Sequence, residues 1–255
     1  MAPVTGVVFR PQSPPEELRA VVEHAEAAGV AELWLWEDCF LEGGLTTAAA
    51  ALAWSTRLRV GIGLLPVPLR NPALAAMEIA TLARMFPDRL VVALGHGVQP
   101  WMEQVGARVE SPMTLLREHV SAVRALLAGE TVSVSGRYVH LDGVALDWPP
   151  PTAPRLLVGA RGPRTVALGG EVADGVLLDS VTDPDVVRRA REAVGGAAHL
   201  CVYTEVDPRG GLRDLGRWVA RLGAAGADTV VLQAPGDAPD PRPLVDALAR
   251  PFPPE

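Results

Sequence analysis

Two adjacent carboxylates, Glu37 and Asp38, end the apolar run Leu33-Trp34-Leu35-Trp36, and a thiol, Cys39, follows them. Neighbouring acids repel each other where water is excluded, whereas at a pocket rim they can pass protons to a bound reactant. The structural alternative is that they cap the helix starting near Thr46 or pair with an arginine. His96, set between Gly95 and Gly97 with little side-chain cover, is a second acid–base candidate or else a hydrogen-bonded structural histidine. Further on, Gly159-Ala160-Arg161-Gly162 leads from a strand into a helix that opens on Pro163 and Arg164. Free amides at a helix start, flanked by Arg161 and Arg164, suit a phosphate group; an ordinary turn is the plainer reading.

Other chemistries are excluded by what is missing. All 23 basic residues are arginine, which removes lysine Schiff-base catalysis and Walker-type phosphate loops. Cys39 has no base beside it in sequence to make a thiolate, and Cys201 lies inside a strand. Glu37, Asp38 and His96 have the donor types of a divalent-metal site, but without a second histidine at that rim or a His-x-His pair no metal is expected. A net charge of −7 argues against nucleic acid. No apolar run reaches the roughly 18 residues of a membrane span, and MAPVTGVVFR lacks a signal-peptide layout. With only two cysteines, the chain reads as cytoplasmic.

The elements that must position these residues alternate regularly. Short apolar runs at Val7–Phe9, Leu33–Trp36, Arg59–Leu65 and Arg89–Leu94 are each followed by a stretch with helical apolar spacing. Between Gly129 and Asp147 the period changes to two around Ser135-Gly136 and Asp142-Gly143, which predicts a β-hairpin excursion. The alternation then resumes with strands near 155–159, 175–178, 200–204 and 229–233. Three helix-to-strand joints, EAAGVAELWLW, ALGGEVADGVLLD and LGAAGADTVVLQ, share a glycine, an acid and an apolar run. Eight such units imply one closed (β/α)₈ TIM barrel over residues 1–255 with a small hairpin insertion at about 130–147. The competing open, doubly wound sheet is weakened by the lack of a GxGxxG after the first strand. In a barrel, loops after the strand C-termini carry function, so Glu37, Asp38 and His96 should face the mouth. Gly61 and Gly63, inside the third strand, imply the close approach of a backbone or a ligand.

In this order and spacing, ELWLWEDCF, RLRVGIGLLPVPLRNPALAAMEIATLARMFPDRLVVALGHG and RLLVGARGPRTVALGGEVADGVLL resemble the luciferase-like monooxygenase superfamily. The resemblance implies a barrel that holds an isoalloxazine ring or its 5-deaza analogue at the mouth. By position, Gly63, Leu64 and Leu65 would lie behind the ring and Gly95, His96 and Gly97 beside it. Gly159, Ala160 and Arg161 would lead into a phosphate site at Gly162, Pro163 and Arg164. A non-prolyl cis peptide is expected near Gly63-Leu64. The blocks most resemble users of 8-hydroxy-5-deazaflavin (coenzyme F-420), with flavin mononucleotide (FMN) the alternative. Cys39 stands where many deazaflavin members have a histidine after the acid, which places proton transfer on Asp38, Glu37 or His96. The implied activity is hydride transfer between cofactor and a small organic substrate, as a reductase or a monooxygenase. The short chain suggests a wide mouth or one completed by a partner subunit, in a homodimer. Competing readings are a non-catalytic flavin-binding or partner-subunit barrel and a metal-dependent hydrolase.

Overall fold

The run Val7-Val8-Phe9 lies within β1 (Val4–Phe9), and Leu18, Val21, Val22 and Ala25 form the buried face of α1 (Leu18–Ala28). Gly29 ends that helix in the left-handed conformation, φ 75°, which glycine adopts without a Cβ penalty. The chain continues through β2 (Glu32–Leu35), α2 (Gly44–Ala53), β3 (Arg59–Pro66), α3 (Pro72–Met85), β4 (Leu90–Gly95), α4 (Gln99–Gln104) and α5 (Pro112–Leu127). A hairpin of β5 (Val132–Ser135) and β6 (His140–Val144) precedes β7 (Arg155–Ala160), α6 (Pro163–Val172), β8 (Gly175–Leu178) and α7 (Pro184–Val194). The last elements are β9 (His199–Glu205), α8 (Leu215–Ala224), β10 (Thr229–Gln233) and α9 (Arg242–Leu248). The computed structural model describes residues 2–249. Among these, no helix is long and apolar enough to cross a membrane.

Parallel pairing closes eight strands into a barrel in the order β1-β10-β9-β8-β7-β4-β3-β2. The expected (β/α)₈ fold is therefore present. The joint motif has a physical purpose at the barrel base. Asp174 accepts the backbone N–H of Leu156 at 2.9 Å and Asp228 that of Leu200 at 2.8 Å, so each acid ties its own strand to the strand before it. Glu32, the acid of the first joint, is 2% exposed, and it accepts from Trp34 Nε1 at 2.9 Å and Arg59 Nη2 at 2.8 Å.

The barrel interior is packed solid below the mouth. Val8, Trp34, Val91, Leu157, Tyr203 and Val231 form a cluster separate from the larger strand–helix layer. Trp34 and Tyr203 meet edge to face, ring centroids 5.6 Å apart at 86°. Two such rings fit only because glycines face them. A Cβ on Gly61 would lie 2.2 Å from Trp34 Cδ2, and one on Gly63 2.2 Å from Tyr203 Oη. The close approach expected at Gly61 is thus that of a core tryptophan.

Two local features differ from the sequence reading. Asp142-Gly143 is not a turn. Gly143, at φ 63°, sits at an irregularity inside β6 and donates to Ser133 Oγ at 2.9 Å, while the hairpin turns at Ser135–Val139. Glu118 of α5 holds that turn by accepting the N–H groups of Arg137, Tyr138 and Val139 at 2.8, 2.9 and 3.0 Å. The short α4 was also unforeseen: with Met102 its one fully buried residue, it has no apolar period to read.

Gly61→Ala should be destabilising by about 1–3 kcal/mol, the usual cost of overpacking a filled core. Urea denaturation at equilibrium measures it, and a variant as stable as the parent would contradict the packing described.

Candidate active site

At the C-terminal ends of the strands the barrel opens into a cavity of about 630 Å³. One wall is built from β3, β4 and β7. Here β3 bulges, its register against β4 shifting between Gly63 and Leu65, and the Gly63–Leu64 peptide is cis, as expected. The bulge turns Leu64 inward, across the neighbouring strands. Its Cδ2 would be 2.5 Å from a Cβ on Gly95 and 2.3 Å from one on Gly159, so both positions need glycine. Gly63, Leu64, Gly97, Gly159, Ala160 and Gly162 line the cavity; Gly95 lies beneath Leu64, and Leu65, 1% exposed, turns outward into the strand–helix layer.

The opposite wall, from β9, β10, β1 and β2, is polar. Tyr203 and Gln233 are 1% and 3% exposed and both line the cavity with Trp36. Arg10 lies above, its guanidinium 4.8 Å from the Trp36 ring centroid, donating to the Ala234 carbonyl at 2.7 Å and to Glu205 at 3.3 Å. Four buried polar atoms of the lining make no hydrogen bond of good geometry among the described residues: Trp36 Nε1, Tyr203 Oη, Gln233 Oε1 and His96 Nδ1, although Trp36 and Tyr203 lie close to each other and His96 close to the Pro112 backbone. Buried polar groups are almost always paired, so these atoms are left to water or to a polar ligand.

The two acids that close β2 have separate fates. Glu37 is clamped by Arg70, which donates to both of its oxygens, the Nη2 bond measuring 2.9 Å. It also accepts the Gly44 N–H at 2.8 Å and so caps α2, two residues earlier than the start near Thr46. This is the arginine-paired, helix-capping arrangement. Asp38 points to the rim and lines the cavity. Burial pushes its carboxyl above the ordinary range; Arg10 and Arg161 pull it down and Asp179 pushes it up. Cys39 follows with a cis peptide to the exposed Phe40, and burial together with the Glu37 and Asp38 charges raises its thiol, the reverse of nucleophile activation.

His96 lines the cavity with Nε2 3.5 Å from Thr165 Oγ1, and burial lowers its pKa. Thr165 belongs to α6, whose start no side chain caps; a Cβ on its N-cap, Gly162, would meet open space. Arg161 is taken up by Asp179, with Nε at 2.8 Å from its carboxylate. Arg164, exposed on the first turn, has no ion-pair partner among the described residues, and neither it nor the exposed Pro163 lines the cavity. No group of three or more His, Cys, Asp or Glu among the described residues is placed to hold a metal ion.

Several lining residues escaped the sequence reading. Trp36 and Gln233 read in the sequence only as strand residues, and Tyr203, Asp179 and Trp101 carry no motif. Strand parity was the available signal: in β9 and β10, Tyr203 and Gln233 share the inward phase of Cys201 and Val231.

A closed barrel with a bulged third strand thus has a mouth with an apolar wall, Leu64 laid over Gly95 and Gly159, an uncapped helix start beside it and a polar wall opposite. The chain belongs to the luciferase-like monooxygenase family, whose model matches residues 3–200. It is 28% identical over 193 residues to the 5,10-methylenetetrahydromethanopterin reductase of Methanolobus tindarius, covering 75% of this chain and 59% of that one. The chain thus spans less than two thirds of that relative's length. A coenzyme F-420-dependent secondary alcohol dehydrogenase, solved with a cofactor–acetone adduct, superposes with a TM-score of 0.82 at 19% identity over 98% of both chains. The FMN-bound oxygenating constituent of the Pseudomonas putida 3,6-diketocamphane monooxygenase superposes at 0.76 with 15% identity, over 99% of this chain and 98% of that one.

Arg70→Met strands a buried carboxylate and should cost about 3 kcal/mol or more in denaturant unfolding. A second expectation concerns Glu42 on the same loop, whose burial and neighbouring Glu16 charge raise its pKa from 4.5 to about 7. Between those values the folded state holds one more proton than the unfolded one, so this group makes stability fall as pH rises. In Glu42→Gln that fall should vanish, read as the difference between the two pH–stability curves.

Proposed function

We propose that the chain is an oxidoreductase that binds coenzyme F-420 or FMN at the barrel mouth and passes a hydride between it and a small organic molecule. The inward Leu64 over Gly95 and Gly159 carries this reading: it makes a smooth apolar face that a ring can lie against, with unpaired polar atoms across the cavity. Family membership and the names of the similar proteins support the same chemistry. When bound, the tricyclic ring supplies the hydride acceptor or donor. Leu64 and the glycine wall back one face of the ring and keep water from it. The start of α6, with Arg164 unpaired beside it, suits the cofactor phosphate; Arg161, held by Asp179, shapes the rim. Asp38 moves the proton: its raised pKa lets it hold one closer to neutrality than a solvated aspartate, while Glu37 spends both oxygens on Arg70 and Gly44. His96 borders the ring as a neutral hydrogen-bonding group.

Residues 1–255 are read as one barrel domain with the hairpin as its insertion. Free Cys39 and Cys201 support a cytoplasmic setting. Exposed Leu74, Met77 and Met85 on α3 support a homodimer.

Titrating the protein with FMN and with F-420, followed by absorbance, tests the reading; binding of neither would refute it, and binding without oxidation of the reduced cofactor by any organic substrate would favour the non-catalytic barrel. Arg164→Ala should weaken the bound cofactor by about 10- to 150-fold, the loss of a hydrogen bond to a charged group. Asp38→Asn should lower turnover by about 10²- to 10⁴-fold with cofactor affinity unchanged. In the reducing direction, parental turnover should fall as pH rises through the Asp38 pKa, and the variant's profile should be flat there.

A further inference from the structure

We propose that Trp36, Tyr203 and Gln233 form a subsite at the cavity floor for a neutral amide edge, a carbonyl beside an N–H. The three side chains offer two donors, Trp36 Nε1 and the Tyr203 hydroxyl, and two acceptors, Gln233 Oε1 and the Tyr203 oxygen; all are buried, Trp36 and Tyr203 lie near enough to interact with each other, and none makes a hydrogen bond of good geometry among the described residues. The contrast within the same barrel is informative. Trp34, one layer below, has its indole N–H satisfied by a carboxylate, Glu32, at 2.9 Å; Trp36 has no carboxylate partner among the described residues and meets only the neutral Tyr203 hydroxyl. Were packing the only requirement, phenylalanine at 203 would fill the same space without an unpaired hydroxyl.

The arrangement is held ready. Trp36 stacks on Tyr203, with centroids 6.0 Å apart and planes at 23°, and Arg10 lies 4.8 Å from its ring centroid. The missing side chain at Gly63 leaves the Tyr203 hydroxyl its place. None of the three carries a charge, and burial keeps the Tyr203 phenol protonated. The neighbouring cation, Arg10, is engaged by Glu205 and the Ala234 carbonyl. A carboxylate would therefore find no counter-charge among these three side chains, and an ammonium only neutral oxygens and no carboxylate. An O=C–N–H edge matches the set: its oxygen accepts from Trp36 and Tyr203, and its N–H donates to Gln233.

Two sources can present this edge, the pyrimidine end of a flavin or deazaflavin ring and an amide-bearing substrate. The first rests on the cofactor reading above; the second does not. The test measures dissociation constants of FMN, of F-420 and of 2-piperidone, the last with free and cofactor-loaded protein. It compares the parent with Tyr203→Phe, Gln233→Met and Trp36→Phe, each checked for folding by circular dichroism. Losing one neutral hydrogen bond should weaken the bound edge by about 3- to 10-fold. N-methyl-2-piperidone, lacking the N–H, should bind more weakly than 2-piperidone to the parent and no more weakly to Gln233→Met. Weakened cofactor with a shifted absorption band assigns the edge to the ring; weakened 2-piperidone with unchanged cofactor assigns it to the substrate. Lactam binding that depends on these residues in a protein that takes up neither cofactor would keep the subsite and discard the cofactor reading. Folded variants that bind every probe as the parent does would overturn the proposal.

Discussion

Two large aromatic rings inside the barrel set the height of everything above them. Trp34 and Tyr203 fill the interior edge to face, and Gly61 and Gly63 on the third strand exist to let them in. Close packing leaves no slack at this level, because an interior at crystal-like density has no room for one more carbon. The mouth cavity therefore begins at the Tyr203 hydroxyl. The bulge in β3 comes at the next residue, and its inward Leu64 makes the same demand of Gly95 and Gly159 that the aromatic rings make of β3. The site's flat wall is thus the upper edge of a packing pattern that starts in the core.

Charge is divided along the barrel axis by a comparable logic. At the base, Glu32, Asp174 and Asp228 are consumed in tying strands together, each by hydrogen bonds to a backbone amide or a buried partner. At the mouth, Glu37 is consumed the same way, by Arg70 and by the first amide of α2. Asp38, one residue on, has no ion pair among the described residues and faces the cavity between cations and a second acid. Adjacent acids with opposite assignments are a consistent outcome: the clamped one anchors the loop that aims the free one. The same Arg70 that clamps Glu37 also meets Glu78 on α3 at 3.3 Å, and its carbonyl lies 3.1 Å from His119 Nε2 on α5. The rim loop is therefore referenced to two helices of the outer ring.

Fold class was legible in the residues because it depends on local, repeated signals. Strand and helix periods and Gly29 at a helix end act within a few residues, and each lies where its spacing indicates. The rim positions of Asp38 and His96 were also readable, since a parallel barrel sends every strand's C-terminal end to one face, whereas the irregular third strand was implied by the family resemblance alone. By itself, then, the sequence determined the barrel, its hairpin insertion and the presence of Asp38 and His96 at the mouth. Tertiary structure alone decided what each of them meets there. The cap of α2 comes from Glu37, seven residues away, and the clamp on Glu37 from Arg70, thirty-three away, so no local pattern could separate the two acids. Arg161 and Arg164 look equivalent in the chain, and only the approach of Asp179 makes one a rim ion pair and leaves the other unpaired. Tyr203 and Gln233 carry no motif at all; they line the cavity because barrel closure sets β9 and β10 across from the third-strand bulge. Pairing between groups far apart in sequence is fixed by where strands and loops converge in space, and that convergence exists only once the barrel has closed.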